Sequence, residues 1–389
     1  MNNDSMLSDV KYLLGRVINS RCESIDGHGT ISGAARLPFH GELATQETKD
    51  VASPVSMIEM GIKVIDLLAP VPHGGIFAMY SMPGLGKLVV QQEMIHNLTT
   101  HYDGYVVGIG MDESSYDASE LVAPLEDFPD KNRMVLVFEQ MSDSQEIIQR
   151  LIRVGLTIAI ELRQQGHEVM FIVDKNVVAK TDSSTLGALK RVIQEQGLIT
   201  LLLTPEEVGT YPSSQRRSPA ATASQSGWTK GGGVQRDEEN DVLNVLDAQI
   251  FFSRELAKQN IWPAIDRMKS TSRLLESSRG DGLPRPIEEH REVARQVREL
   301  LQRYATSQAT SAEDHQMVKR AQRVQLFLTQ PFFVAEAFTD IPGEFVPLAE
   351  MLKGCKALLE GRYDDVPVEA FRFVGTIEQA LAKAKVLGG

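Results

Sequence analysis

The stretch GIFAMYSMPGLGKLVVQQEMIHNL, residues 75–98, decides the fold. It opens with a short apolar run at 76–80 that is bounded by glycine, a pattern typical of a buried parallel strand. It closes with LVVQQEMIHNL, residues 88–98, whose apolar side chains recur at helical spacing. A glycine-containing turn, SMPGLGKL at 81–88, separates the two. A strand, a glycine turn and a helix in this order predict the setting of a phosphate-binding loop.

Similar alternation continues along the chain. Further short apolar runs lie at 105–109, 134–138, 169–173 and 198–204. Segments with helical spacing separate them, for example 144–164 and 185–195. Strands that alternate with helices at this spacing indicate an α/β fold with a parallel, helix-covered sheet.

The flanking regions have different patterns. Residues 12–60 read as short strands and turns, and the chain from Pro286 onward is mostly helical in pattern. We therefore predict a bridging segment at 1–60, a phosphate-loop domain at 61–285 and a C-terminal helical domain at 286–389.

One segment within the middle region interrupts the alternation. Residues 206–240 are rich in Ser, Pro, Gly and charge. Because such a segment cannot offset its ordering entropy by burial, it reads as a surface loop. The alternative is an arm that binds a partner, with Trp228 as its anchor.

Composition excludes several classes of protein. The chain has 389 residues, 42% of them hydrophobic and 24% charged, and a formal net charge of −12. The acidic excess argues against general nucleic-acid binding. The two cysteines, Cys22 and Cys355, cannot form a disulfide framework, so we expect a cytoplasmic protein. No signal-peptide pattern and no membrane-spanning apolar stretch occur, so we expect no direct membrane insertion.

The glycine turn departs from the Walker A pattern GxxxxGK[ST]. Gly84, Gly86 and Lys87 are in place, but Ser81 occupies the position of the first glycine and Leu88 that of the hydroxyl residue. Backbone N–H groups and Lys87 can hold phosphate, whereas Leu88 offers no oxygen to magnesium. The alternative interpretation is an ordinary glycine turn before a helix.

A second candidate element lies in EVMFIVDKN, residues 168–176. It is an apolar strand that ends at Asp174, as a Walker B strand would. Asp174 is therefore the candidate ligand for Mg²⁺. Taken alone, the residue is also consistent with an ordinary aspartate at a strand end.

Three long strings resemble the beta subunit in the catalytic head of the rotary ATP synthase. They are GIKVIDLLAPVPHGG at 61–75, IWPAIDRMKSTSRLL at 261–275 and QLFLTQPFFVAEAFTDIPGEFVPLAEMLKGCKALLEGRYDDVPVEAFRFVGTIEQALAKA at 325–384. The resemblance covers about 12–388, with 206–240 poorly matched. It implies a RecA-like nucleotide-binding domain that binds ATP or ADP, within a hexameric ring that couples ATP chemistry to proton transport. Because the match starts at the family's bridge after its N-terminal β-barrel, we expect a divergent member without the barrel.

The resemblance assigns site residues by position. Lys87 matches the phosphate-loop lysine and Asp174 the Walker B aspartate. Trp262 matches the aromatic residue that stacks on adenine, and Phe332 and Phe338 match two phenylalanines of the adenine pocket. The alternative for both phenylalanines is core packing in a helix or loop.

Arg273 matches an arginine that the family presents near a neighbouring subunit's nucleotide. For an isolated arginine the alternative is a surface salt bridge.

The departures from the family fall on the chemistry. The family's GER string, whose glutamate orients the attacking water, aligns here with Met111 and Asp112 or, after a shift of one residue, with Asp112 and Glu113. In either alignment a carboxylate replaces the arginine, which opposes the binding of a triphosphate. The family's later arginine is Val178 here.

The family's acidic DELSEED loop, which contacts the central stalk, corresponds to QATSAED at 308–314. Only Ser311, Glu313 and Asp314 are retained. The alternative is a plain turn between helices, with Ser311 as an N-cap.

Three functions remain open. The first is a degenerate nucleotide-binding ring subunit with little or no turnover, partnered by an alpha-type or homologous subunit and by a central stalk. The second is an active ATP synthase or hydrolase subunit that uses Asp112 as its water-orienting carboxylate. The third is a non-enzymatic scaffold that uses 206–240 to bind a partner. The rotary family also implies a cytoplasmic protein held at the membrane periphery through its complex.

Overall fold

The computed structural model describes residues 6–8, 10–31, 36–38, 56–112, 130–140, 142, 144–203, 245–276, 285–307 and 311–387. The predicted loop at 206–240, with Trp228, lies outside these residues, as do Glu113, residues 308–310 and the side chain of Asp112.

Strands and helices alternate through the described chain. The strands are β1 Met6–Ser8, β2 Arg16–Ile18, β3 Arg36–Pro38, β4 Met57–Ile58, β5 Val71–Pro72, β6 Ile76–Tyr80, β7 Tyr105–Asp112, β8 Met134–Gln140, β9 Val169–Val173, β10 Ile199–Leu203, β11 Ala248–Phe251 and β12 Thr271–Ser272. The α-helices are α1 Lys63–Leu68, α2 Lys87–His101, α3 Gln145–Gln164, α4 Lys175–Lys180, α5 Ser183–Gln196, α6 Arg254–Lys258, α7 Arg273–Glu276, α8 Arg285–Thr306, α9 Ala312–Phe327, α10 Glu336–Thr339, α11 Leu348–Leu359 and α12 Ile377–Leu387. Short 3₁₀ turns lie at Val10–Tyr12, Lys131–Arg133, Phe333–Ala335 and Val368–Phe371.

The main sheet has eight strands in the order β12-β11-β6-β10-β9-β7-β8-β2. All neighbouring pairs are parallel except β11 with β12. The predicted α/β fold with a mostly parallel sheet is therefore confirmed. Strands β6 and β10 are neighbours, and β9 follows β10, so the glycine turn after β6 and the end of β9 share one edge of the sheet.

Both faces of the central strands are buried, as a helix-covered parallel sheet requires. Every residue of β6 and β9 is buried. Alternate residues of β6 enter two different apolar clusters. Phe77 and Met79 pack with α2 and the C-terminal helices, whereas Ile76 and Ala78 pack with α3 and α5.

The C-terminal region is helical, as predicted. Helices α8, α9 and α11 contribute Val297, Phe327 and Met351 to the same cluster that contains Phe77. Lys63 of α1 is fully buried at this contact; its Nζ lies 4.2 Å from the ring centroid of Phe327. The division of the chain at residues 60 and 285 stays a prediction.

The N-terminal part includes a strand of the main sheet. β2 pairs in parallel with β8 at the outer edge. The following turn contains Gly27 and Gly29, which come after Asp26 and His28 and have φ of +74° and +79°. Arg16 pairs with Asp26 at 2.7 Å and, together with other hydrogen bonds, holds the pKa of that carboxyl well below its usual range.

Among the described residues, no helix combines the length and apolar character that crossing a membrane demands.

Candidate functional site

The glycine turn forms a loop between β6 and the long helix α2. Gly84 and Gly86 have φ of +79° and +84°, a region that glycine adopts without the steric penalty of a Cβ. The loop leads directly into α2, whose first residue is Lys87. The first N–H groups of a helix lack intrahelical partners and carry positive partial charge. The loop and helix together therefore offer a site for an anion.

Ser81 replaces the first glycine of the pattern without visible strain. It is buried, its Oγ donates to the carbonyl of Met82 at 2.8 Å, and it is not among the described residues with positive φ. The substitution is therefore compatible with the loop's backbone.

Three apolar side chains in this loop and at the start of α2 are exposed. Leu88 is 60% exposed, and Met82 and Val89 are also exposed. Leu88 occupies the position where the pattern has a hydroxyl, immediately after half-buried Lys87. An aliphatic side chain cannot coordinate a hard cation, which takes oxygen ligands.

Asp174 lies just after β9, at the same edge of the sheet as the loop. Its N–H donates to the carbonyl of Ile109 at 2.9 Å, and its carboxylate accepts the N–H of Asn176 at 3.0 Å. Asp174 is thus the N-cap of α4. Burial raises the pKa of the Asp174 carboxyl, although hydrogen bonds from Asn176 and Lys175 oppose the shift.

These residues provide a poor donor set for a metal. Leu88 offers no oxygen, and one oxygen of Asp174, Oδ2, already accepts the N–H of Asn176 at the N-cap of α4. Within the described ranges, no group of three or more His, Cys, Asp or Glu side chains is arranged to hold a metal ion.

The end of β7 runs beside Asp174. Ile109 of β7 pairs with Val173 of β9, so Met111 and Asp112 extend past the end of β9. Met111 is 2% exposed and packs in the core. Its carbonyl accepts the side-chain N–H of Asn176 at 2.9 Å. Asp112 is the last residue of β7.

Trp262 lies against the glycine-containing loop. Its Cζ3 would be 3.4 Å from a Cβ placed on Gly86. Its Nε1 donates to Oδ1 of Asn260 at 2.9 Å, and its carbonyl accepts the N–H of Gln330 at 3.2 Å. The structure therefore brings Trp262 together with the loop although about 175 residues separate them in the sequence.

The two candidate phenylalanines lie in different environments. Phe332 is 6% exposed and belongs to the apolar core. Phe338, on α10, is 87% exposed. Of the two rings, only that of Phe338 is open to contact with a ligand.

Arg273 follows the edge strand β12 and is paired within the chain. Its Nη1 lies 3.4 Å from Oδ1 of Asp247, a side chain that is fully buried. Lys190 approaches the same oxygen at 3.2 Å, and the N–H of Ile76 donates to Oδ2 at 3.0 Å. The guanidinium is about one-third exposed, so it contacts both Asp247 and solvent.

Glu93 is a buried charged residue that sequence reasoning missed. It lies on α2 with no exposed surface, and its carboxylate accepts the N–H groups of Phe333 and Val334. The available signal was its spacing from Val90 and Asn97, which places Glu93 on the buried face of α2.

The chain matches a known protein family. The model of the ATP synthase alpha/beta family, nucleotide-binding domain, matches residues 61–272, more than half of the chain. The match spans α1 to β12 and includes the loop, Asp174 and Trp262. Arg273, Phe332 and Phe338 lie beyond it.

Proposed function

Since the chain belongs to the ATP synthase alpha/beta family, we propose that it is a beta-like ring subunit with a degenerate nucleotide site. In this proposal it binds ATP or ADP weakly and turns over little or none. The site then serves as a nucleotide-binding position within a ring rather than as a catalytic centre.

One observation carries the proposal. Leu88 presents an exposed aliphatic side chain directly after Lys87, on α2 and just past a loop whose glycines adopt the left-handed conformation. The N–H groups of the loop and the charge of Lys87 support phosphate binding. Leu88 removes the oxygen that would hold magnesium beside those phosphates. Phosphate affinity and metal affinity are therefore separated at adjacent residues.

The base-binding end of the site is aromatic. Trp262 lies beside Gly86, and Phe338 presents an open ring. Aromatic faces bind a planar base by stacking. We assign Phe332 to core packing, because its ring is buried among apolar side chains.

Low turnover follows from the residues at the phosphate end. The carboxylate of Asp174 caps α4, and Val178, at the position of the family's later arginine, is buried. Met111, at the glutamate position in the ungapped alignment, is also buried. A positioned base contributes about 10²–10⁴-fold and an arginine clamp about 10³–10⁵-fold to such reactions. Loss of both leaves the site with binding rather than chemistry.

We propose that the ring partners are alpha-type or homologous subunits, with a central stalk in contact with the ring. Arg273 would act on a neighbour's nucleotide by leaving or sharing Asp247. We also propose that the protein is cytoplasmic and lies at the membrane periphery through its complex. The proposed domain boundaries lie at residues 60 and 285.

Calorimetry with ADP, with and without Mg²⁺, tests this function on the purified chain. We expect binding that Mg²⁺ does not enhance, and ATP hydrolysis at or near background. Lys87→Ala should weaken ADP binding at least about tenfold, because a charge-assisted contact to phosphate is lost. Absence of ADP binding by the unmodified chain would refute the nucleotide site. Magnesium-dependent hydrolysis that Lys87→Ala abolishes would refute the degeneracy.

An active subunit is the second candidate. The observation in its favour is that β7 ends at Asp112, beside the strand that leads to Asp174. In that case Mg²⁺ would strengthen nucleotide binding and Asp112→Asn would abolish turnover. The scaffold hypothesis depends on residues 206–240, which lie outside the described ranges.

A further inference from the structure

Glu93 links the phosphate-loop helix to the segment that carries Phe338. Oε1 of Glu93 lies 3.2 Å from the backbone nitrogen of Phe333, and Oε2 lies 3.1 Å from that of Val334. These two N–H groups open the helical turn that continues into α10 and Phe338. Lys87 and Glu93 lie on one helix, about 9 Å apart along its axis.

The carboxyl group of Glu93 is buried and depends on these two hydrogen bonds. Glu93 has no exposed surface. Burial raises the pKa of its carboxyl to about 7, while the two backbone N–H groups oppose that shift. A buried carboxylate is tolerated only where donors replace its water, so the positions of Phe333 and Val334 are tied to it.

Residues 331–345, the segment that contains Phe333, Val334 and Phe338, are held together by internal hydrogen bonds. The N–H of Gly343 donates to Oε1 of Glu336 at 2.6 Å, and that of Glu344 donates to the carbonyl of Pro331 at 3.2 Å. A Cβ on Gly343 would lie 2.3 Å from the backbone nitrogen of Phe333. Because of this close packing, we expect a displacement at Phe333 to be transmitted to the rest of residues 331–345.

A second connection returns from this segment to the phosphate-binding loop. Gln330 lies just before this segment, and its Nε2 donates to the carbonyl of Glu344 at 2.5 Å. The N–H of Gln330 donates to the carbonyl of Trp262 at 3.2 Å, and the ring of Trp262 lies against Gly86. The loop therefore contacts Trp262, Trp262 is linked through Gln330 to the 331–345 segment, and Glu93 links that segment back to the helix that follows the loop.

We infer that Glu93 is a positioning residue that fixes the Phe338 segment against the phosphate-loop helix. This inference rests on the proposed function of the site. In the proposed function, a ligand that has both a base and phosphates would contact the Phe338 segment as well as the loop, whereas a ligand with phosphates alone would contact only the loop. Loss of Glu93 should therefore weaken the first ligand and leave the second unchanged.

Glu93→Ala and Glu93→Gln, compared with the unmodified chain, test the inference by two readouts. The first is amide hydrogen exchange at Phe333 and Val334. The second is calorimetric Kd for ADP and for pyrophosphate. For Glu93→Ala we expect exchange at both amides to rise at least about tenfold, since two buried hydrogen bonds are lost. ADP affinity should fall about tenfold, with pyrophosphate within about twofold. Glu93→Gln retains one acceptor oxygen and should give intermediate values.

Asp66→Asn is the matched control. Asp66 is equally buried, but its carboxylate accepts the N–H of Met60 instead of contacting 331–345. It should change neither the exchange at Phe333 nor the ratio of the two Kd values.

Equal weakening of ADP and pyrophosphate by Glu93→Ala would overturn the inference, because it would show a general role in α2. Unchanged exchange at Phe333 and Val334 would overturn it as well. If the unmodified chain binds neither ligand, the proposed function fails, and the exchange readout still decides whether Glu93 holds the segment. If Glu93→Ala does not fold, Glu93→Gln decides by the same two readouts.

Discussion

In the proposed site, the single side chain of Leu88 separates phosphate binding from metal binding. The backbone at Gly84 and Gly86 and the charge of Lys87 remain suited to phosphate, whereas Leu88 presents carbon to the place of a metal ligand. Leu88 is 60% exposed, so its side chain contributes little to the core. A change at this position should therefore affect the site more than the fold.

Leu88→Thr tests this separation. The new hydroxyl supplies an oxygen ligand beside Lys87, so we expect Mg²⁺ to strengthen ADP binding in the variant by about three- to tenfold. The free energy of unfolding should change by less than about 0.5 kcal/mol, as is usual at exposed positions. Calorimetry and urea denaturation measure the two quantities.

Val89→Thr is the control for that experiment, because Val89 is the next residue on α2 and is also exposed. It introduces the same hydroxyl one position further along the helix. If Mg²⁺ affects Leu88→Thr and Val89→Thr equally, the assignment of the hydroxyl position to Leu88 is wrong.

At the scale of elements, most strands and helices could be predicted from local sequence. The runs at 105–109, 134–138 and 169–173 are strands, and 144–164 is a helix, because apolar spacing reports burial on one or two faces. The pairing of β2 with β8 was not predicted. It joins residues more than 100 positions apart, and no local pattern specifies a long-range partner.

The same limit applies to the site. The loop and Asp174 could be predicted, since each lies in a local motif at the end of a strand. The contact of Glu93 with Phe333 joins residues 240 positions apart. The burial of Phe332 beside the exposure of Phe338 also depends on tertiary packing, so spacing could not separate the two rings.

Ser311 is the N-cap of α9 and forms a capping box with Asp314. This confirms the N-cap interpretation of Ser311. Its Oγ accepts the N–H of Asp314 at 3.1 Å, and Asp314 accepts the N–H of Ser311 at 3.1 Å. Ser311→Ala should lower the free energy of unfolding by about 1 kcal/mol. Urea denaturation measures the loss.

Ser307→Ala, at the end of α8, should lower the free energy of unfolding by less than about 0.5 kcal/mol, because a hydroxyl after a C-terminus caps no N–H groups of that helix. Equal losses for the two variants would contradict the capping role.

At the scale of the whole molecule, two buried ionisable side chains, Lys63 and Asp66, lie on α1 at the contact between the sheet and the C-terminal helices. Burial raises the pKa of Asp66 to about 8 and lowers that of Lys63 to about 7. Both groups are therefore disfavoured in their charged forms, and their contributions to the pH dependence of stability have opposite signs.

Asp66→Asn isolates one of these contributions. The native state retains a proton on Asp66 that the unfolded chain, with a pKa near 3.8, releases. The contribution of this proton to the free energy of unfolding is complete below about pH 4. It is lost progressively as the pH rises from about 4 to about 8, at up to about 1.4 kcal/mol per pH unit. Relative to the unmodified chain, Asp66→Asn should therefore gain stability as the pH rises from 5 to 9.

Urea denaturation at pH 5, 7 and 9 measures this difference. Lys63 titrates equally in both proteins and cancels from the comparison. Glu299→Gln, at an exposed position of α8, should show no such trend. A difference between Asp66→Asn and the unmodified chain that stays constant with pH would contradict the protonation of Asp66.

The apolar cluster that joins Phe77 of the sheet to Phe327 and Met351 of the helices has a consequence for inheritance. A chimaeric protein that joins two related chains near residue 285 would assemble this core from halves that were never selected together. Close-packed interiors tolerate such mismatches poorly. The two regions should therefore be inherited as a single block, even where the sequence pattern changes between them.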